Sequence, residues 1–140
     1  MTKQTEALPD IVQTVTLNAS ITKVWTAVST SEGIAAWFMP NDFKPELGHE
    51  FHLEAGPYGS SPCKVVELDP PHRLCFTWGK SWTLSFDLIE QNNTTVLTLT
   101  HGGWYAEQVT EFGELHTIVR ERMAHGWSGL GVKLAAYIEG

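Results

Sequence analysis

The feature that most constrains the fold of this chain is a regular alternation of apolar and polar residues in its middle third. Between 73 and 88, large apolar side chains recur at every second position of two segments, with polar side chains between them. Side chains two apart in a strand share one face, so this period predicts strands with a single buried face. The apolar set is Leu74, Phe76, Trp78, Trp82, Leu84, Phe86 and Leu88. An antiparallel sheet that covers a core on one side follows from this pattern.

Turn signals divide the rest of the sheet region into short strands. Asp-Pro-Pro at 69–71, Gly-Lys-Ser at 79–81 and Gln-Asn-Asn at 91–93 are typical of tight connections. Short connections between successive strands predict an antiparallel meander in which sequence neighbours pair. The predicted strands are 11–17, 50–55, 63–68, 72–78, 82–90 and 94–100.

Helical periods flank these strands. Two short helices are predicted between the first and second strands, at 21–28 and 34–38, each after a polar capping residue and the second ending before Pro40. From 117 to 139, apolar residues recur at spacings of three and four, which predicts one long amphipathic helix. Gly126, Gly129 and Gly131 interrupt it, so either it bends there or a neighbouring backbone or a ligand comes close.

Length and charge exclude several classes of protein. A chain of 140 residues with 42% hydrophobic and 18% charged residues predicts one folded domain over 1–140, with 1–9 flexible. The net charge of −7 and the absence of a basic cluster argue against nucleic acid. No apolar run is long enough for membrane insertion and no secretory signal begins the chain, so a cytoplasmic location is expected, with Cys63 and Cys75 as free thiols.

Five segments of this chain resemble the SRPBCC superfamily, which includes START and birch-pollen-allergen-like proteins. They are VWTAV at 24–28, SEGIAAWF at 31–38, VELDPPHRLCFTW at 66–78, LTHGGW at 99–104 and Gly126-Trp127. Within the superfamily, the chain is most similar to bacterial single-domain relatives of the C-terminal domain of the heat-shock-chaperone ATPase activator Aha. The resemblance implies an α+β helix-grip fold, in which a curved, seven-stranded antiparallel sheet wraps around the long C-terminal helix and encloses a cavity.

The predicted cavity wall is mostly aromatic, which is typical of sites for small hydrophobic molecules and favours flat ligands. A packed core has the same composition, so both interpretations stay open. The candidate ligand-binding residues are Trp37, Phe38, Phe51, Leu53, Phe76, Trp78, Trp82, Leu84, Phe86, Leu99, His101, Met123, Trp127 and Leu130.

His101 is the polar residue of most interest in that set. Alternation from Leu97 and Leu99 directs its side chain toward the apolar face. A buried imidazole needs a hydrogen-bond partner, which could be Tyr105, Tyr58 or a backbone carbonyl. His101 is then either a satisfied core residue or the polar group that orients a ligand.

The spacing of polar residues gives no sign of a cofactor, a metal site or a catalytic group. His49 and His52 are three apart on a predicted strand, so they face opposite sides and cannot share an ion. Cys63 and Cys75 could approach each other across the Asp-Pro-Pro hairpin. No paired carboxylates and no Ser-His-Asp or Cys-His arrangement can be read from the chain.

Three functions remain. The first is binding of a small hydrophobic, aromatic molecule between sheet and helix, without catalysis. The second, implied by the resemblance, is interaction with a chaperone or another protein, with a role in the stress response. The chain is expected to be a monomer or a homodimer. The activator has a further N-terminal domain for which 140 residues leave no room, so its activity does not carry over directly. The third is a polyketide cyclase or dehydratase that uses His101 with Tyr58 or Tyr105.

Overall fold

The computed structural model describes residues 7–54, 59–79, 82–105, 108–109 and 113–139. It confirms the predicted α+β class and the order of elements, with boundaries that differ by a few residues at most. The elements are β1 (Ile11–Leu17), α1 (Ile21–Val28), α2 (Ser31–Trp37), β2 (Glu50–Glu54), β3 (Ser60–Asp69), β4 (Arg73–Trp78), β5 (Trp82–Gln91), β6 (Thr94–Gly102) and α3 (His116–Glu139).

The strands form one antiparallel sheet in the order β1-β6-β5-β4-β3-β2. The register between β4 and β5 places Phe76 opposite Leu84 and Trp78 opposite Trp82, so the large side chains of both strands share the inner face, as the alternation predicts. Arg73 pairs with Asp87 on the outer face, where its guanidinium contacts both carboxylate oxygens at 2.8 Å. The sheet thus presents an aromatic surface to the core and a polar surface to solvent.

The seventh strand implied by the resemblance is not found in the described residues, which form six strands. Its expected place, around 43–47, forms no strand, and the only bridge beside it among the described residues pairs Asn41 with Leu53. Asn41 Oδ1 accepts a hydrogen bond from the Phe43 N–H at 3.0 Å, which turns the chain, and Pro45 has no N–H to offer a ladder. The segment therefore leaves the sheet edge after one pair.

A sharp corner between α1 and α2 positions the residues that follow α2. Ser20 caps α1 and Thr30 caps α2, each accepting a backbone N–H three residues later. A Cβ on Gly33 would lie 2.6 Å from the Ala27 carbonyl oxygen, so only glycine allows this approach. The indole of Trp37 donates to the same carbonyl at 2.9 Å. Phe38 leaves this corner toward α3.

The long helix α3 lies along β1 and is bound at both ends to residues that flank that strand. Near its start, Arg120 Nε donates to the Pro9 carbonyl oxygen at 2.7 Å. At its end, Glu139 Oε2 accepts from the Asn18 N–H at 2.7 Å. No described helix is both long and apolar enough to cross a membrane. The expected cytoplasmic location stays a prediction.

The N-terminal segment and the cysteines complete the description. The Leu8 N–H donates to the Trp104 carbonyl oxygen at 2.9 Å, while 1–6 lie outside the described residues, so the expected flexibility of 1–9 stays a prediction. Both thiols are free, as predicted. The suggestion that they approach each other is wrong, because Cys63 pairs with Trp78 on the inner face while Cys75 pairs with Glu67 on the outer face. Burial raises the pKa of Cys63 to about 12.

Candidate functional site

One end of the inner sheet face is filled by the protein's own side chains. Phe43, Phe51, Phe76 and Phe86, here called the phenylalanine cluster, are each at most 3% exposed. The rings of Phe43 and Phe51 and those of Phe51 and Phe76 meet nearly edge to face, with centroids 5.1 Å apart in both pairs. Seven of the predicted ligand-binding residues lie in this packed core: Trp37, Phe51, Leu53, Phe76, Leu84, Phe86 and Leu99.

A pocket of about 240 Å³ opens at the other end, between the middle of α3, the end of β4 and the segment after α2. We call it the α3 pocket. Phe38 forms part of its wall, with its ring centroid 5.1 Å from Trp127 and 5.6 Å from Trp78. Five predicted ligand-binding residues meet here. The lining residues are Phe38, Met39, Trp78, Met123, Gly126, Trp127 and Leu130.

Sequence reasoning missed two of these lining residues, Met39 and Gly126. Met39 lies just beyond α2 and before Pro40, where no period assigns a side chain to a face. Gly126 did carry a signal, since a glycine inside a helix permits a close approach. A Cβ there would meet nothing within 4 Å, so the position opens on the pocket and α3 continues through it. Gly131, by contrast, lies against β1, where a Cβ would come 3.3 Å from Val15 Cγ2.

Behind the pocket lies a second aromatic group around His101, which is fully buried at 0% exposure. Four indoles surround its imidazole, and we call the five residues the tryptophan cluster. Trp78 stacks on the ring at 5.2 Å, Trp104 lies at 4.7 Å, and Trp82 and Trp127 meet it edge to face at 5.1 and 5.8 Å. His101 thus faces the core, as the alternation predicts, and contacts the pocket through Trp78 and Trp127.

The hydrogen-bond partner of His101 differs from each one that the sequence suggested. Trp127 Nε1 donates to His101 Nδ1 at 2.9 Å, although the two residues are 26 positions apart. Tyr105 instead donates its backbone N–H to His116 Nδ1, and Tyr58 lies outside the described residues. The register of a strand does not reveal which helix residue will cross it, so this partner could not be predicted.

Burial fixes the protonation of His101. Desolvation lowers its pKa to about 3, so the ring is neutral near pH 7. An indole N–H can only donate, which makes Nδ1 the acceptor and leaves the proton on Nε2. In the part of the chain that the structure describes, this Nε2 and the buried Nε1 of Trp82 have no hydrogen-bond partner. Trp104 Nε1, in contrast, donates to the His101 carbonyl oxygen at 3.0 Å.

The site therefore provides an apolar pocket backed by hydrogen-bond donors. Across the described ranges, no group of three or more His, Cys, Asp or Glu side chains could hold a metal ion. The imidazole of His101 is held by Trp127, which does not titrate, rather than by an acid or a nucleophile. Such an arrangement can bind and orient a flat molecule.

Comparison with known proteins finds one family whose model matches most of the chain. The family model described as activator of Hsp90 ATPase homolog 1-like protein matches residues 18–139. A comparison with curated proteins found no match.

Solved structures share the fold over most of the chain. Protein BH1534 from Bacillus halodurans is 45% identical, with a TM-score of 0.86 over 96% of this chain and 99% of its own. The Aha1 dimer from Colwellia psychrerythraea is 19% identical, with a TM-score of 0.71 over 94% of this chain and 97% of its own. DynU16, from the dynemicin biosynthetic locus, is 20% identical, with a TM-score of 0.76 over 94% of this chain and 48% of its own.

Proposed function

This chain belongs to the activator of Hsp90 ATPase homolog 1-like family, and we propose that it binds a small, flat, hydrophobic molecule in the α3 pocket. The observation that supports this most is the pocket wall itself. Three aromatic rings, two methionines and a leucine line a space of about 240 Å³, and the lining includes no charged residue. A hydrophobic ligand that enters this pocket would leave water and contact aromatic rings and polarisable thioethers instead.

The size of the space sets the size of the ligand. Small-molecule pockets usually measure about 300–1,000 Å³, so this one lies just below the lower end of the range. One or two fused rings fit such a volume better than a long acyl chain. Met39 and Met123 add adaptability, because their unbranched side chains can rearrange around ligands of different outline.

The predicted residues outside the pocket have a supporting role in this proposal. The phenylalanine cluster fixes the inner end of the hollow, so a ligand is confined to the end near α3. His101 holds the Trp127 indole through the hydrogen bond to Nδ1, which orients one wall of the pocket. Its buried position also keeps that acceptor away from water.

Binding can be tested by native mass spectrometry of gently purified protein, followed by thermal-shift screening with flat aromatic compounds. A ligand at 100 times its Kd adds about 2.7 kcal/mol to the free energy of unfolding. Gly126→Leu should abolish that gain, because its side chain would extend into the open space at the pocket mouth.

Gly129→Leu is the matched control, since Gly129 is on the same helix, also has nothing within 4 Å of a Cβ, and is not a lining residue. It should retain the ligand-induced stabilisation. Equal loss in both variants, or no shift with any flat compound, would contradict the proposal.

Docking to another protein is a second candidate, favoured by one exposed apolar surface. Val109, Leu115 and Ile118 are 48%, 42% and 54% exposed, and Val109 forms a bridge with Leu115 at the start of α3. The structure from Colwellia psychrerythraea is described as a dimer, which suggests self-association here. Monomeric proteins rarely expose a contiguous apolar surface, so such a surface is often covered by a partner.

Light scattering coupled to size exclusion tests this second candidate. If the surface is an interface, the wild-type protein should have the mass of a dimer and Ile118→Glu that of a monomer. Val132→Glu, at a position 72% exposed on the same helix, should leave the mass unchanged. A monomeric wild-type protein at high concentration would argue for the pocket alone.

The cyclase or dehydratase interpretation gains no support from the site. It calls for two titratable groups that face each other with their pKa values moved apart. Burial does lower the pKa of His101, but its hydrogen-bond partner is an indole.

A further inference from the structure

Two hydrogen-bond donors in the tryptophan cluster are unsatisfied in the described structure. They are Nε2 of His101 and Nε1 of Trp82, both buried, on rings whose centroids are 5.1 Å apart. Buried donors in folded proteins nearly always have an acceptor, and each exception calls for an explanation. Two exceptions on neighbouring rings point to a common cause.

The surroundings of these donors cannot replace an acceptor. The rings of Trp82 and His101 meet at 83°, and Trp78 and Trp104 cover the imidazole from other sides. An aromatic face accepts an N–H only weakly. The His101 carbonyl oxygen receives the Trp104 N–H. The His116 ring, 6.0 Å from that of Trp82, accepts the Tyr105 backbone N–H at its Nδ1.

We propose that these two N–H groups form the polar end of the ligand site and bind an oxygen that accepts hydrogen bonds but donates none, such as the carbonyl of an aromatic ketone. This inference rests on the proposed function, because it assigns a chemical class to the ligand of the α3 pocket. The ligand is then a flat, apolar ring system that carries a carbonyl on one edge.

A carbonyl oxygen matches this site better than water or a hydroxyl does. Its two lone pairs can accept from both donors, and it has no hydrogen that needs an acceptor. A buried water usually needs two to four polar partners, and its own hydrogens would here face indole rings. The donor-only character of the site therefore selects against ligands that end in a hydroxyl.

The route from the pocket to these donors leads past Trp78. His101 does not line the pocket, and it contacts two of the wall residues, Trp78 and Trp127. The ring centroid of Trp78 lies 5.2 Å from that of Trp82 and 5.2 Å from that of His101, so a shift of this indole would open the pocket toward both N–H groups. Trp127 keeps its hydrogen bond to His101 Nδ1 meanwhile, which holds the proton on Nε2.

Indane and 1-indanone provide a matched pair of probes, since they share one ring skeleton and differ by a carbonyl. Two added hydrogen bonds should make 1-indanone bind about tenfold more tightly. The indole N–H signals of the six tryptophans can be followed by nitrogen-15 NMR during each titration. Indanone should move the Trp82 signal downfield, whereas indane should move only signals from the pocket wall.

Trp82→Phe and Trp104→Phe separate the donor from the ring. Trp82→Phe keeps an aromatic ring and removes an unsatisfied N–H, so it should keep its stability and reduce the preference for indanone severalfold. Trp104→Phe removes an N–H that already has an acceptor, so it should lower the melting temperature and keep the full preference.

The outcomes distinguish this inference from the proposed function. Equal affinity for the two probes, with no movement of the Trp82 signal, overturns the acceptor site and leaves the pocket intact. Binding of neither probe at millimolar concentration counts against the pocket itself. In that case the stabilities of the two variants still test the acceptor site. If Trp82→Phe loses as much stability as Trp104→Phe, the Trp82 N–H already has a partner within the protein and the inference is wrong.

Discussion

The phenylalanine cluster and the tryptophan cluster are neighbours on the inner face of one sheet, and β4 contributes a ring to each through Phe76 and Trp78. Both are dense in aromatic rings with centroids about 5 Å apart. The first is closed, apolar and fully packed. The second contains an unsatisfied imidazole and an unsatisfied indole, and it adjoins an open pocket.

The difference follows from the chemistry of the rings. A phenyl ring has no polar atom, so its only requirement in a core is shape, and edge-to-face pairs meet it well. An indole brings an N–H that must find an acceptor, and its larger outline makes gaps harder to avoid. Aromatic content alone therefore does not separate a packed core from a candidate binding site.

Truncation of a phenylalanine in each region should give the largest contrast. Phe51 is 0% exposed within the phenylalanine cluster, so Phe51→Ala should lower the free energy of unfolding by about 3–5 kcal/mol. Phe38 is only partly buried and faces existing empty space, so Phe38→Ala should cost about 1–2 kcal/mol. Urea denaturation of both variants measures these losses. Equal losses would show that the two ends are packed alike.

Of the two clusters, only the tryptophan cluster contains a titratable side chain, so a lower pH should weaken it through His101. Burial holds the pKa of His101 at about 3 in the folded protein, against 6.5 for an ordinary histidine, so the unfolded chain takes up the proton first. The stability that neutral His101 contributes is fully present above pH 6.5 and is lost as the pH falls toward 3. We expect a loss of about 2–3 kcal/mol between about pH 6.5 and pH 4.5 from this group.

Denaturation of wild-type protein and His101→Asn across this pH range isolates the effect. Asparagine can still accept the Trp127 N–H but does not titrate, so its profile should be flatter. The carboxyl groups of Glu67 and Glu114, whose pKa values are lowered by Arg73 and Arg122, contribute equally to both proteins. If the stabilities of both proteins fall in parallel with pH, His101 is not the buried group whose protonation destabilises the fold.

Substitution of helical glycines should give the smallest effect and tests how open the pocket side of α3 is. Gly126→Ala should raise the free energy of unfolding by about 0.5–1 kcal/mol, because alanine favours the helix and its Cβ meets nothing. Gly131→Ala should gain less, since Val15 must shift to admit a Cβ 3.3 Å away. Thermal unfolding compares the two. Equal gains in the free energy of unfolding would mean that shifting Val15 on β1 costs no more than placing the Cβ in open space.

The sequence predicts which strand face the site lies on better than it predicts which side chains line the pocket. Alternation assigns Trp78, Trp82 and His101 to one face because strand geometry has a fixed period of two. It cannot separate Phe51, which fills the core, from Trp78, which lines the pocket, because both are large, apolar and on the inner face. That separation depends on how far α3 lies from each strand, a distance that no local pattern encodes.

The same limit explains the errors at individual residues. The bond from Trp127 to His101 joins a helix to a strand, and only the packed structure brings them together. The Asp-Pro-Pro hairpin suggests that Cys63 and Cys75 approach each other, but the register shift between Val65 and Glu67 places them on opposite faces. Local spacing predicts which element a residue joins; contacts between elements require the assembled fold.

Two hydrogen bonds join α3 to the residues flanking β1, at Pro9 and Asn18, and they bear on how the proposed ligand would enter the α3 pocket. To slide along its axis or to lift away as a rigid rod, the helix would have to break both bonds. Local opening between Met123 and Leu130, where glycine weakens the helix, would break neither bond and would admit the proposed ligand. Backbone amides in that stretch should therefore exchange with deuterium faster than those on either side, the reverse of a helix that frays from its tips.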